Sequence, residues 1–157
     1  MAHWLTTHYP HPPGHPWFVY LKDRYRSRAD QFSIGDEVFF YELAGNTRRG
    51  RKAIVMMGEV TAPVRDNRDH RSAGPDEADE IWEWEIPCGN HNDQGRVLKD
   101  DLYDELRWPR RKPMQMPGGV IAVDTRVAER LRARFKSFGA DARNTRQSSP
   151  VAQSRNG

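Results

Sequence analysis

The chain has 157 residues, of which 36% are hydrophobic, 30% charged and 10% aromatic. This is the length of one domain, and the composition is too aromatic for a fully disordered chain. No run approaches the roughly 18 consecutive apolar residues of a membrane-spanning helix, and no apolar run follows a basic start as in a secretory signal. We therefore expect a soluble, cytoplasmic protein. The single cysteine, Cys88, excludes an internal disulfide and a cysteine-rich zinc site.

The formal net charge of +3 conceals an uneven distribution of charge. Residues 76–85 hold six acidic residues and no basic one, so the remaining chain is distinctly positive. Arginine supplies 20 of the 25 basic residues, and its planar guanidinium binds phosphate and stacks on bases. An arginine-rich composition is also found on ordinary solvated surfaces. Charge alone therefore does not decide between a solvated surface and a phosphate-binding one.

The N-terminal part predicts a strand, a loop and a helix. His3–Leu5 is predicted to be a short strand, and the prolines of residues 9–16 indicate a loop. His11 and His15 lie in this loop without a neighbouring carboxylate or cysteine, so no metal site is predicted. Apolar residues with helical spacing predict an amphipathic helix that carries Leu21, Tyr25, Ala29 and Phe32.

A β-hairpin is predicted next. Glu37–Glu42 and Ala53–Val60 are rich in strand-forming residues, and the basic loop 46–52 joins them. Residues 64–80 are polar and interrupted by Pro and Gly, which predicts a long surface loop. Ile81–Ile86 alternates in polarity, which is typical of a half-buried strand.

The C-terminal part predicts two helices separated by a strand. Leu98, Leu102 and Leu106 indicate a short helix, and Val120–Val123 follows as a strand. A last helix, capped by Asp124 or Thr125 and ended by Gly139, carries Val127, Leu131, Phe135 and Phe138. We predict one α+β domain over residues 1–138. Residues 139–157 are expected to form a disordered tail or a linker to a further domain.

The chain lacks the phosphate-binding, zinc-binding and hydrolase motifs of common enzymes, so no cofactor, metal ion or catalytic residue is predicted. Its distinctive feature is a set of aromatic side chains beside positive charge, an arrangement suited to base stacking. We expect two to four of six rings to line a cavity, and these candidates are Trp4, Trp17, Tyr41, Trp82, Trp84 and Trp108. The residues that we expect to contact phosphate are Arg24, Arg26, Arg28, Arg48, Arg49, Arg51, Lys52, Arg110 and Arg111.

Several motifs together resemble the EVE domain of the PUA-like superfamily, to which YTH and ASCH domains also belong. These motifs, which span about residues 2–136, are His3-Trp4-Leu5, Ile34-Gly35-Asp36-Glu37-Val38-Phe39-Phe40-Tyr41, Met57-Gly58-Glu59-Val60, Gly118-Gly119-Val120-Ile121 and Val127-Ala128-Glu129-Arg130-Leu131. Trp4 and Tyr41 match family aromatic positions. The family segment Trp-x-Gly-Val-Arg-Asn is replaced here by Pro16-Trp17-Phe18-Val19-Tyr20.

The resemblance implies a PUA-like pseudobarrel of five or six strands flanked by helices, with a pocket for one flipped base. It further implies a reader of modified cytosine in DNA, such as 5-methylcytosine or 5-hydroxymethylcytosine, that serves as the recognition module of a modification-dependent restriction system. Any nuclease activity would then reside in a fused or partner domain.

Two other functions remain open at the level of sequence. The first is a reader of methylated RNA of the YTH or PUA type. The second is an amidohydrolase of the ASCH type, which would use Lys22 or Lys52 with Glu42 or Glu59. No spacing in the sequence arranges these residues as a catalytic set.

Overall fold

The computed structural model describes residues 1–11, 14–44, 50–67, 82–114 and 116–148. These ranges contain nine strands, two α-helices and two 3-10 helices, Asp23–Gln31 and Pro117–Gly119. The strands are β1 (His3–His8), β2 (Val19–Leu21), β3 (Glu37–Glu42), β4 (Ala53–Val60), β5 (Arg65–Asp66), β6 (Trp84–Ile86), β7 (Cys88–Asn92), β8 (Val97–Leu98) and β9 (Val120–Ala122). The α-helices are α1 (Lys99–Leu106) and α2 (Thr125–Gln147).

Six of these strands form one mixed sheet in the order β7-β4-β3-β1-β9, with β8 also paired to β4. β3 and β4 pair antiparallel, which confirms the predicted hairpin. β1 lies parallel to β3, and a parallel pair requires the chain to cross over between its strands. The crossover contains β2 and the first 3-10 helix, and this helix forms part of the pocket wall described below.

A second sheet has the order β2-β6-β5, and all its pairings are antiparallel. Together with the first sheet and the flanking helices it forms a PUA-like pseudobarrel, which confirms the predicted fold class.

β3 is buried on both of its faces. Phe39 and Tyr41 pack into one apolar cluster with residues of α2 such as Phe135. Val38 and Phe40 point the other way and pack into a second cluster. Because side chains alternate across a strand, two covered faces require an uninterrupted apolar run, which this segment of the sequence has.

The last helix begins as predicted and ends later than predicted. The Asp124 carboxylate caps α2 by accepting a hydrogen bond from the Arg126 N–H over 2.9 Å. The predicted end at Gly139 is wrong, because α2 continues to Gln147. A Cβ on Gly139 would lie 2.2 Å from the Gln94 carbonyl oxygen, so glycine here permits a close approach of two backbones. Residues 149–157 of the predicted tail lie outside the described ranges.

The other differences from the predicted elements occur in segments where apolar residues show little regular spacing. The predicted amphipathic helix is a 3-10 helix whose one buried residue is Ala29, while Leu21 belongs to β2. The predicted strand 81–86 begins at Trp84, and β7 was not predicted because its sequence, CGNHN, is polar. Residues 45–49 of the hairpin tip and 68–81 of the long loop lie outside the described ranges. None of the described helices is long and apolar enough to cross a bilayer.

Candidate functional site

A concave pocket of about 250 Å³ opens where the two sheets approach each other. Drug-sized ligands occupy sites of about 300–1,000 Å³, so this pocket suits a smaller ligand such as one ring system. Its walls come from the end of β1, the loop after β3, the start of the first 3-10 helix, the segment before β6 and the turn before β9. The lining residues are Thr7, Tyr9, Lys22, Arg24, Tyr25, Leu43, Trp82, Met114, Met116, Gly118 and Gly119.

Trp82 provides the large aromatic surface of the pocket. It precedes β6, and its backbone is held from one side by Asn67, which is only 2% exposed. The Asn67 side-chain amide donates to the Trp82 carbonyl over 2.9 Å, and the Asn67 N–H donates to the Glu83 carbonyl over 2.7 Å. These two bonds position a partly buried indole at the pocket although it lies outside a strand.

The turn Gly118-Gly119 packs between Tyr25 and the Trp82 indole, since a Cβ on Gly119 would lie 3.6 Å from Cζ3 of Trp82. Both residues have positive φ, +72° and +75°, which glycine adopts without strain. A Cβ on Gly118 would lie 2.9 Å from Cγ of Tyr25, so the tyrosine ring packs directly on the turn. The Thr6 hydroxyl donates to the Gly119 carbonyl over 2.7 Å and ties the turn to β1.

The pocket lining is positively charged. Lys22 Nζ lies 5.0 Å from the centroid of the Trp82 ring, and Arg24 Cζ lies 5.0 Å from the centroid of Tyr25. Arg28 Cζ lies 5.3 Å from the same tyrosine ring, and Arg28 donates to the Val120 carbonyl over 2.9 Å. Among the described residues that line the pocket, none is acidic.

Of the six rings predicted to line a cavity, Trp82 is in this pocket and two others are core residues. Trp4 is 6% exposed and stacks on Phe32 with ring centroids 4.1 Å apart. Tyr41 is 1% exposed and packs in the cluster beneath α2. Neither ring is among the described residues that line this pocket, and contact of either ring with a base stays a prediction.

The other three predicted rings are partly buried and lie elsewhere. Trp17 packs against His8 with centroids 5.4 Å apart. Trp84 donates its indole N–H to Asp23 over 2.7 Å. Trp108 packs edge-on against Tyr103, with centroids 5.5 Å apart. The structure therefore distributes the predicted rings over several sites and does not assemble them into one.

Three of the predicted phosphate-binding cations pair with carboxylates of the chain. Arg26 pairs with Asp30 over 3.1 Å, Arg51 with Glu42 over 3.0 Å, and Arg110 with Asp104 over 3.2 Å. Arg24 lines the pocket, and Lys52 and Arg111 are exposed. Arg48 and Arg49 lie outside the described residues.

Sequence reasoning missed most of the pocket lining. Met114, Met116 and the glycine turn lie about 90 residues from Lys22 and Tyr25 in the sequence, and only the fold brings them together. The sequence suggests Lys22 only as a residue that an amidohydrolase would use with Glu42 or Glu59. One usable signal was the Pro117-Gly118-Gly119 turn, because two adjacent glycines allow an unusually close approach of other groups.

A second aromatic cluster lies beside Trp17 and contains His8, His11 and His15. His8 Nδ1 and His11 Nε2 share a hydrogen bond, and the rings of His11 and His15 stack with centroids 4.0 Å apart. Burial, with the neighbouring imidazoles, lowers the pKa of His8 well below its usual value and that of His11 to about 4. The His8 and His11 rings are therefore neutral at neutral pH. Over the described ranges, no group of three or more potential ligands has the arrangement that a metal ion needs.

Comparison with solved structures finds the same fold in other proteins. Rpa0253 from Rhodopseudomonas palustris is 12% identical, with 88% of this chain and 95% of that chain covered and a TM-score of 0.52. Human THYN1, solved in complex with 5-methylcytosine-containing DNA, is 12% identical, with 85% and 98% covered and a TM-score of 0.51. Protein Atu2648 from Agrobacterium tumefaciens is 18% identical, with 83% and 90% covered and a TM-score of 0.48.

No protein-family model matches the sequence, and no curated protein matches it either. At such low identities, the likeness to solved structures shows a shared fold.

Proposed function

We propose that this protein is a nucleic-acid-binding module that receives one flipped, modified base, a modified cytosine in DNA, in the pocket beside Trp82. The observation that carries the proposal is a pocket of about 250 Å³ that combines an indole with a positively charged rim. The same fold in human THYN1 was solved with 5-methylcytosine-containing DNA, which supports a ligand of this class.

The energetics favour such a site. Extruding a base from a duplex costs a few kcal/mol in lost pairing and stacking, and stacking on an aromatic side chain recovers about 1–3 kcal/mol. The partly buried Trp82 offers this surface. One added methyl group contributes only about 1–3 kcal/mol of discrimination, so a reader of methylated bases needs a pocket that fits closely. The small volume and the methionines Met114 and Met116 meet that need.

The pocket lining favours binding over catalysis. An amidohydrolase mechanism would pair a lysine with a carboxylate, and no acidic side chain is among the described residues that line the pocket. The Glu42 carboxylate accepts two bonds from the Arg51 guanidinium, both over 3.0 Å, and the Glu59 carboxylate accepts one from Asn90. We therefore assign no catalytic residue.

We further infer from the order of its motifs that the chain is an EVE-like module and that it recognises DNA for a nuclease in a fused or partner domain. The alternative polymer, methylated RNA, would use the same pocket and is an outcome of the test below.

Binding of duplexes that differ in a single base tests the proposal. Fluorescence anisotropy at one fixed salt concentration compares cytosine, 5-methylcytosine and 5-hydroxymethylcytosine, with methylated RNA as a competitor. We expect the modified duplexes to bind more tightly than the unmodified one. Trp82→Ala should weaken this binding by about 1–3 kcal/mol, whereas Trp17→Ala, which removes a partly buried indole outside the pocket, should not. Equal affinity for modified and unmodified DNA would overturn the proposal, and preferential binding of the RNA would replace DNA as the ligand.

A further inference from the structure

The net charge of the chain is concentrated in the segment that begins in the last part of α2. Residues 136–157 contain four basic residues and one acidic residue, a balance of +3 that equals the formal net charge of the whole chain. Residues 1–135 hold the rest of the 25 basic and 22 acidic residues, in equal numbers. The excess positive charge therefore belongs to the C-terminal segment and not to the part of the chain that forms the two sheets.

α2 continues beyond the core on which it packs. Its buried residues are Ala128, Leu131, Phe135 and Gly139, whereas every residue from 140 to 148 is exposed. Residues 140–147, the α2 extension, are about 12 Å long at 1.5 Å per residue. The extension has no apolar residue larger than alanine, so burial of apolar surface does not explain its composition.

The arginines on the side of α2 that faces α1 are neutralised by carboxylates of α1. Arg130 pairs with Glu105. Arg134 pairs with Asp101 over 3.1 Å and with Glu105 over 2.9 Å. These arginines hold the two helices together, and a ligand would have to compete with their partners.

A different side of α2 carries Lys136, Arg143 and Arg146, the basic patch. These residues are seven and three positions apart, spacings that place side chains on one face of a helix. Among the carboxylates that the structure describes, none pairs with any of the three. Asp141 lies on the α1 side, where it lines a groove with Arg134. The basic patch is therefore an exposed row of cations about 15 Å long, at 1.5 Å per helical residue.

We propose that the basic patch binds the phosphate backbone of DNA. This inference rests on the proposed function in taking DNA as the ligand, but it does not depend on which base is read. Duplex DNA carries about one negative charge per 1.7 Å of its axis, so several phosphates lie within the length of the patch. Arginine suits such a contact because its planar guanidinium donates two parallel hydrogen bonds to a phosphate.

The composition of the α2 extension favours a polyanion in water over an anionic membrane. A helix that lies on a membrane inserts an apolar face, and the extension offers only Ala140 and Ala142. Cations near the end of a helix also interact favourably with the helix dipole. That interaction stabilises the fold, whereas a phosphate contact changes the affinity for DNA and its salt dependence, so measurements of both distinguish the two roles.

Fluorescence anisotropy over a range of salt concentrations tests the inference, with a duplex that contains 5-methylcytosine and its unmodified counterpart. Arg143→Gln combined with Arg146→Gln should weaken the binding of both duplexes roughly tenfold at low salt and lower the slope of log affinity against log salt by about two. Adding Lys136→Gln should lower the slope by about one more. The control combines Arg107→Gln with Arg126→Gln, which removes two exposed arginines at the end of α1 and the start of α2. The control should leave the slope nearly unchanged.

Urea unfolding and vesicle binding complete the test, and the free energy of unfolding should be the same for the two double variants. If both double variants weaken DNA binding alike, the loss reflects total charge and the inference is wrong. If Arg143→Gln with Arg146→Gln destabilises the protein and leaves the salt dependence unchanged, these arginines stabilise the helix end and the inference is wrong.

Two further outcomes separate this inference from the proposed function. If the wild type binds both duplexes equally and the double variant of the α2 extension still lowers the salt dependence, the inference stands and the reading of a modified base fails. If the wild type binds vesicles containing phosphatidylserine and neither duplex, both fail.

Discussion

The indole N–H of Trp4 donates a hydrogen bond to Oδ2 of Asp36 over 3.0 Å, which joins β1 to the turn before β3. The same carboxylate accepts bonds from the N–H groups of Ser33 over 2.9 Å and Ala2 over 3.0 Å. Burial works to raise the pKa of Asp36, but these hydrogen bonds hold it below its usual value. Two motifs that suggested an EVE-like chain, one around Trp4 and one around Asp36, are thus one structural unit.

Asp36→Asn should therefore destabilise the protein. The amide has only one acceptor oxygen, so at least one of the three donors loses its partner, at a cost of about 1–3 kcal/mol. The free energy of unfolding in urea at neutral pH measures this cost. Asp30→Asn is the matched control, because the Asp30 side chain is 74% exposed and its ion pair with Arg26 lies at the surface. If the two substitutions lower the free energy of unfolding equally, the three hydrogen bonds to Asp36 do not stabilise the fold as proposed.

The histidine cluster predicts a loss of stability in mild acid. His11 has a pKa of about 4 in the folded protein and about 6.5 when unfolded, and the pKa of His8 is also lowered. Between about pH 4 and 6.5 the unfolded chain thus binds more protons, so stability rises with pH in this window. Above about pH 6.5 the contribution is complete, and it is lost as the pH falls towards 4.

Urea unfolding at a series of pH values between 4 and 8 tests this prediction. His11→Gln should flatten the dependence of the unfolding free energy on pH, since it removes one of the titrating groups. If His11→Gln does not reduce the dependence of the unfolding free energy on pH, other groups cause the loss of stability in acid.

The protein should be less stable with alanine at position 139 than with Gly139. This reverses the usual preference for alanine over glycine in a helix. Alanine is normally favoured by about 1 kcal/mol in a helix interior, but its Cβ would lie 2.2 Å from the backbone oxygen of Gln94. Overpacking of this kind costs about 1–3 kcal/mol. We expect a lower melting temperature for Gly139→Ala, and also for Ala140→Gly at the neighbouring exposed position. A more stable Gly139→Ala would mean that the two segments do not approach so closely.

The regular parts of the fold could be predicted because their patterns are local. β3 and β4 have the bounds that the sequence predicted, and Asp124 caps α2. β7 could not be predicted, because a polar strand at the edge of the described sheet is held by pairing with β4 and has no apolar pattern of its own.

The pocket could be predicted only in part, because an aromatic residue beside a cation has two explanations. Lys112 Nζ lies 3.8 Å from the centroid of Trp108, and Arg26 Cζ lies 4.9 Å from that of Trp84. In both cases the cation lies over a ring of its own chain, as Lys22 Nζ also does over the Trp82 ring of the pocket at 5.0 Å. The sequence pattern is the same whether a ring stacks on a base or on a neighbouring cation.

Arg51 illustrates the same ambiguity for phosphate contacts and yields the last prediction. It was expected to bind phosphate, yet its guanidinium makes two bonds of 3.0 Å to Glu42, which is 5% exposed. Burial works to raise the pKa of Glu42, but Arg51 holds it below its usual value. Removal of the arginine side chain would leave a buried carboxylate without its ion-pair partner, which is strongly destabilising.

Arg51→Met should therefore lower the free energy of unfolding by about 1–3 kcal/mol. This is less than for a fully buried pair, because the arginine side chain is 43% exposed and water screens its charge. Lys52→Met, at the exposed neighbouring position, should change stability little, since no buried carboxylate among the described residues pairs with Lys52. The two variants remove the same charge, so a phosphate role predicts similar losses of DNA affinity and similar changes in salt dependence. If Arg51→Met weakens DNA binding far more than Lys52→Met and leaves stability intact, Arg51 serves the ligand and not the fold.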